Sequence, residues 1–147
     1  MDELSEQLSA VGVHEFTARH YRPGVVRHIV LFRLRADATP ADRLEVVRQL
    51  TSLQGSLRHD GEPYIVDIVA GSQSSGEGAG HDFELGFIVT FASEGDRNFY
   101  VGEPIVSDPA CFDHEHAAFK RFVGPLLAPG AEGVLVFDFA DPDDSGV

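Results

Sequence analysis

The stretch VVRHIVLFRL, Val25 to Leu34, sets the strongest limit on what this chain can become. It is rich in β-branched residues, which pack well on a pleated sheet. In a strand, alternate residues point to opposite faces. Val26, His28, Val30, Phe32 and Leu34 therefore share one face, and Arg27, Ile29, Leu31 and Arg33 share the other. Both faces are apolar in the middle, so both must be covered.

The segments that follow name the rest of the fold. In ATPADRLEVVRQLTSLQGSL, Thr39 is a good N-cap, Pro40 suits the first helical position and Asp42 favours the helix start. Leu44, Val47, Leu50, Leu53 and Leu57 recur every three or four residues, which predicts a helix with that buried stripe. PYIVDIVAG reads as a strand ending near Gly71, and FELGFIVTF, Phe83 to Phe91, as its hairpin partner. The glycine-rich loop between them, SQSSGEGAG, precedes a strand and lacks the Lys-Ser/Thr of a phosphate loop. SEGDRNFYV predicts a short helix capped by Ser93, and GEPIVSDPACF a loop. Asp113 caps a further helix with the stripe Phe119, Phe122, Val123, Leu126 and Leu127, shortened or kinked near Gly124-Pro125. EGVLVFDF, Glu132 to Phe139, is the last strand.

The order β-α-β-β-α-β is the ferredoxin-like arrangement, an α+β fold with a four-stranded antiparallel sheet under helices on one face. No element remains to cover the second face of VVRHIVLFRL. Pairing two copies sheet to sheet solves this, so a homodimer is expected. Residues 1–24 read as an N-terminal extension whose ELSEQLSAV forms a short helix stopped by RPG, residues 25–140 as the domain, and the acidic residues 141–147 as a disordered tail.

Composition narrows the function. The chain of 147 residues carries a formal net charge of −13 and no cluster of Lys or Arg, so nucleic acid and anionic membranes are poor partners. No apolar run approaches the roughly 18 residues of a membrane span. The acidic start does not read as a secretory signal, and Cys111, the one cysteine, has no intrachain partner. These features fit a cytoplasmic protein. Lys120 is the one lysine, expected on the exposed side of its helix, which sets Schiff-base chemistry aside.

VVRHIVLFRL, GFIVTFAS, HEHAAF and VLVFDF, in that order, resemble the stress-responsive dimeric α/β-barrel (Dabb) family over about residues 25–140. The resemblance implies a ferredoxin-like protomer and a dimer whose sheets close into a barrel. Its best understood branch is similar to olivetolic acid cyclase, which closes a polyketide chain by aldol condensation without metal or organic cofactor. The matching site residues are His116 as general base, with His28 and Tyr100 beside it. Val30, Phe32, Val134 and Val136 would supply apolar walls for a hydrophobic carbonyl compound. The branch runs from the tyrosine to the histidine in a short step; here VGEPIVSDPACFD is inserted between them.

Each residue also has a plainer reading. His116 sits near the positive end of its helix dipole, which disfavours imidazolium and suits a neutral base, but polar residues also cluster at helix starts to close hydrogen bonds. His28 lies among apolar residues and needs a hydrogen-bond partner, which a structural contact supplies as well as a substrate does. Tyr100 either presents its hydroxyl to a pocket or packs. A metal site at His114 and His116 is disfavoured, since two residues apart on a helix they diverge by about 200°. No metal and no cofactor is therefore expected. The enzyme reading stands beside a non-catalytic dimeric stress-response or binding protein. Cofactor-free oxygenation, on the architecture shared with antibiotic-biosynthesis monooxygenases, is a weaker third.

Overall fold

The computed structural model describes residues 2–142. Two helices, α1 (Glu3–Val11) and α2 (Val13–Phe16), precede β1 (Pro23–Phe32). Then come α3 (Pro40–Ser52), β2 (Ile65–Ser72), β3 (Leu85–Ser93), α4 (Glu94–Val101), α5 (His114–Val123) and β4 (Val134–Ala140). The sheet is antiparallel in the order β2-β3-β1-β4, as a ferredoxin-like α+β fold requires. The acidic residues 143–147 lie outside the described residues. Asp141, assigned to that tail from sequence, donates its N–H to the Val25 carbonyl, and its carboxylate pairs with Arg27.

The central strands place Val26, Val30 and Phe32 of β1 and Leu85, Phe87, Val89 and Phe91 of β3 on one face. Val46 and Leu50 of α3, Phe99 and Tyr100 of α4, and Phe119 and Val123 of α5 close over them. Thr39 and Asp42 form a reciprocal capping box that fixes where α3 begins. Leu50 of the predicted stripe is buried, as is Leu53 just beyond the helix, and Val47 packs against the core, but Val46 joins them and Leu44 and Leu57 stay out. Leu44 is 73% exposed, because it lies about 200° around the helix from Val46. Leu57 is exposed because the helix has already given way to a 3-10 turn at Leu53–Gly55.

The extension docks beside this core. Phe16 and Tyr21 join Val106 and Cys111 of the inserted segment in a second, smaller apolar cluster. Gly95 at the start of α4 makes the approach feasible: a Cβ there would lie 1.7 Å from the Ala18 carbonyl oxygen. The Arg58 guanidinium ties the same turn down, bonding the Asp96 carboxylate at 2.8 Å and the Thr17 carbonyl while stacking over Phe99.

Candidate functional site

α5 starts where it does because Asp113 is held from four sides. Its Oδ1 accepts from the backbone N–H groups of Glu115 and His116, and its Oδ2 from Ser56 Oγ and Tyr64 Oη. This cap fixes the first turn, and the first turn fixes His116.

His116 is buried, and its Nδ1 lies 2.5 Å from the Tyr100 carbonyl oxygen. A carbonyl only accepts, so Nδ1 carries the hydrogen and Nε2 keeps the lone pair. Burial, joined by the charge of Lys120, lowers the proton affinity of His116 to about 3 and outweighs the hydrogen bond to Tyr100, so the ring is neutral. The imidazole lies flat on the Tyr100 ring, centroids 3.8 Å apart. Burial and the nearby Asp113 carboxylate raise the Tyr100 phenol, which stays protonated.

His28 meets Tyr100 edge-on at 5.7 Å. The β1–β4 register sets His28 opposite Asp138, and His28 Nδ1 lies 2.7 Å from Asp138 Oδ1. The other Asp138 oxygen accepts from Arg97 at 3.2 Å. Burial alone would raise the Asp138 carboxyl, but His28 and Arg97 prevail and hold it below its ordinary value. The carboxylate fixes the His28 tautomer, so here too Nε2 is the ring nitrogen left free.

One cavity of about 440 Å³ is lined by His28, Val30, Phe32, Tyr100, His116, Val134 and Val136. All seven residues singled out from the sequence border it. The insertion does not displace Tyr100; instead its Glu103 and Pro104 supply part of the wall. Lys120 is exposed as expected, and its ammonium donates to the Val101 and Glu103 carbonyls while the residue borders the cavity. Burial lowers its proton affinity.

Sequence reasoning missed Asp138, Arg97, Tyr64 and Ser56. A carboxylate inside the otherwise apolar VLVFDF was the available signal for Asp138, because a buried charge needs a partner.

The family model described as Stress responsive A/B Barrel Domain, Dabb, matches residues 26–141. This chain belongs to the Dabb family. The Dabb match spans the sheet, the cavity and the insertion, and leaves α1 and α2 outside it. No curated protein matches the chain in sequence. Among solved structures, a hydroxynitrile lyase from Passiflora edulis superposes with a TM-score of 0.60 at 18% identity, over 80% of this chain and 94% of that one. A dimeric ferredoxin-like protein of unknown function from Jannaschia sp. gives 0.59 at 19%, over 79% and 98%. A Dabb family protein with a ferredoxin-like fold from Mesorhizobium loti gives 0.57 at 19%, over 82% and 99%. At these identities the likeness shows the fold that the Dabb domain of this chain adopts.

Proposed function

We propose that the cavity binds a hydrophobic carbonyl compound and that His116 Nε2 takes a proton from the carbon beside the carbonyl. The carrying observation is that two histidines with free Nε2 atoms and one protonated phenol border a single, mostly apolar cavity. Its volume lies within the roughly 300–1,000 Å³ range of small-molecule sites. Tyr100 donates to the carbonyl oxygen as it gains charge, and His28, held by Asp138, orients the substrate. The C–H electron pair becomes an enolate, which attacks a second carbonyl of the same chain; the new alkoxide recovers the proton from His116. This is a cyclase-like aldol closure of a polyketide-like chain. That a hydroxynitrile lyase shares the fold supports an enzymatic reading.

The low proton affinity of His116 favours a second reading, binding without turnover. A conjugate acid near 3 makes a weak base at neutral pH unless the forming enolate raises it. Ligand screening and turnover with wild type, His116→Ala and His116→Gln separate the two. The enzyme reading expects both variants to lose about 10²–10⁴-fold in turnover while His116→Gln still binds. Binding with no turnover in wild type leaves the stress-response or binding protein. Equal turnover in all three removes His116 from any active role.

The protomer is also proposed to pair with a second copy through the sheet face opposite the helices. Val69, Ile88, Leu135, Phe137 and Phe139 stand exposed there, a contiguous apolar surface of the kind that marks an interface. The Jannaschia neighbour is described as dimeric, in keeping with this pairing.

A further inference from the structure

We propose that His14, Asp108 and Cys111 form a zinc site that clasps the N-terminal extension to the inserted segment. The three are the one such grouping of His, Cys and carboxylate side chains among the described residues, with a ligand atom from each within 4.8 Å of the others. No sequence spacing reveals them, because position 14 lies far from the pair at 108 and 111.

The local chain builds the pair. Asp108 caps a 3-10 turn, Pro109–Cys111. Cys111 ends that turn, and a carboxylate oxygen of Asp108 and the Cys111 sulfur lie within 4.8 Å of each other. Asp108 Oδ1 accepts from the Ala110 N–H at 3.0 Å, and Oδ2 stays free of that bond. From α2, His14 brings Nδ1 to 3.5 Å from Cys111 Sγ, and its Nε2 lies 4.0 Å from Asp108 Oδ2.

The chemistry fits zinc. Bonds of about 2.3 Å to sulfur and 2.0 Å to nitrogen or oxygen at tetrahedral angles separate ligand atoms by about 3.3–3.6 Å. The His14–Cys111 distance already meets that. Zinc takes one nitrogen of His14, so binding through Nδ1 beside Cys111 requires Asp108 to turn from its approach to Nε2 and bring an oxygen to about 3.3 Å from Nδ1, a rotation open to it because it is 41% exposed. Cys111 is buried and anchors the site, while the His14 side chain is 81% exposed and faces water, which completes the shell. On binding, the thiol proton leaves to solvent; thiolate and carboxylate then balance the dication, with neutral imidazole as third ligand. The two segments otherwise meet through a small cluster around Phe16, Tyr21, Val106 and Cys111, so a cross-link there has a structural use.

The test uses the full chain, reduced and stripped with chelator. One equivalent of cobalt(II) is expected to give a thiolate-to-metal band in the near ultraviolet and intense tetrahedral bands in the visible, both erased by zinc. Zinc is expected to raise the thermal midpoint. Cys111→Ser disturbs a buried position, so the deciding variants are His14→Ala and Asp108→Asn at exposed side chains. Each should weaken zinc by more than the about 10–100-fold caused by losing an outer-shell partner, and abolish the thermal shift. Absence of the thiolate band at one equivalent overturns the proposal. So does zinc affinity in His14→Ala equal to that of wild type.

Discussion

Phe137 and Asp138 are consecutive in β4, yet they face opposite sides of the sheet. Asp138 points to the side that the helices cover and is held by His28 and Arg97. Phe137 points to the open side and is 59% exposed. Ordinary patterning on a half-covered sheet puts apolar residues inside and polar ones out. Here the pair is inverted. A charge kept on the covered side must serve something there, because burying it costs free energy unless it is paired. A phenylalanine kept on the open side is the residue that the proposed pairing of two copies would cover.

Asp138→Ala is the strongest way to break that contrast. It leaves the Arg97 guanidinium, 8% exposed, without one carboxylate, and frees the His28 ring. Removing one partner of a buried pair costs about 3–5 kcal/mol; about 3 is expected, because Asp138 is 23% exposed. Chemical denaturation measures it. A loss under 1 kcal/mol would mean that the covered face does not depend on this charge.

Phe137→Glu should do the opposite. Protomer stability changes by no more than about 0.5 kcal/mol, as for surface substitutions generally. Association weakens by about 2 kcal/mol or more, roughly thirtyfold in dissociation constant, as at interface hot spots. Sedimentation across a concentration series reads this directly. An unchanged oligomer in Phe137→Glu would show that the open face is not where copies meet.

The contrast also explains what could be read from the sequence. β1 announced itself through apolar residues on both faces, and the topology followed from local patterns and caps such as Thr39 and Ser93. His28, Tyr100 and His116 were singled out because the resemblance carries each on a short contiguous motif, and the three border one cavity. What was hidden depends on register and on contacts between distant segments. The His28–Asp138 pair spans β1 and β4, and the Asp113 cap draws Ser56 and Tyr64 from far along the chain. The α3 stripe misled at Leu44, which fits the spacing as well as Val46 does, and the docking of α3 on the sheet decides between them. The union of the extension with the insertion was likewise invisible, since neither segment has a pattern that names the other.

The gentlest probe of the covered face is pH. His116 binds its proton near 3 when folded, against an ordinary value of 6.5. Between these values the unfolded chain holds a proton that the folded one lacks, so stability falls as pH drops from 6.5 towards 3 and is unaffected above 6.5. At pH 5 the gap of 1.5 units corresponds to about 2 kcal/mol. His116→Gln keeps a donor for the Tyr100 carbonyl and removes the titration, so its stability should fall less than wild type between pH 7.5 and 5. Denaturation curves at the two pH values give the difference. Equal acid sensitivity in both proteins would mean that His116 is more hydrated than its packing between Tyr100 and Phe119 implies.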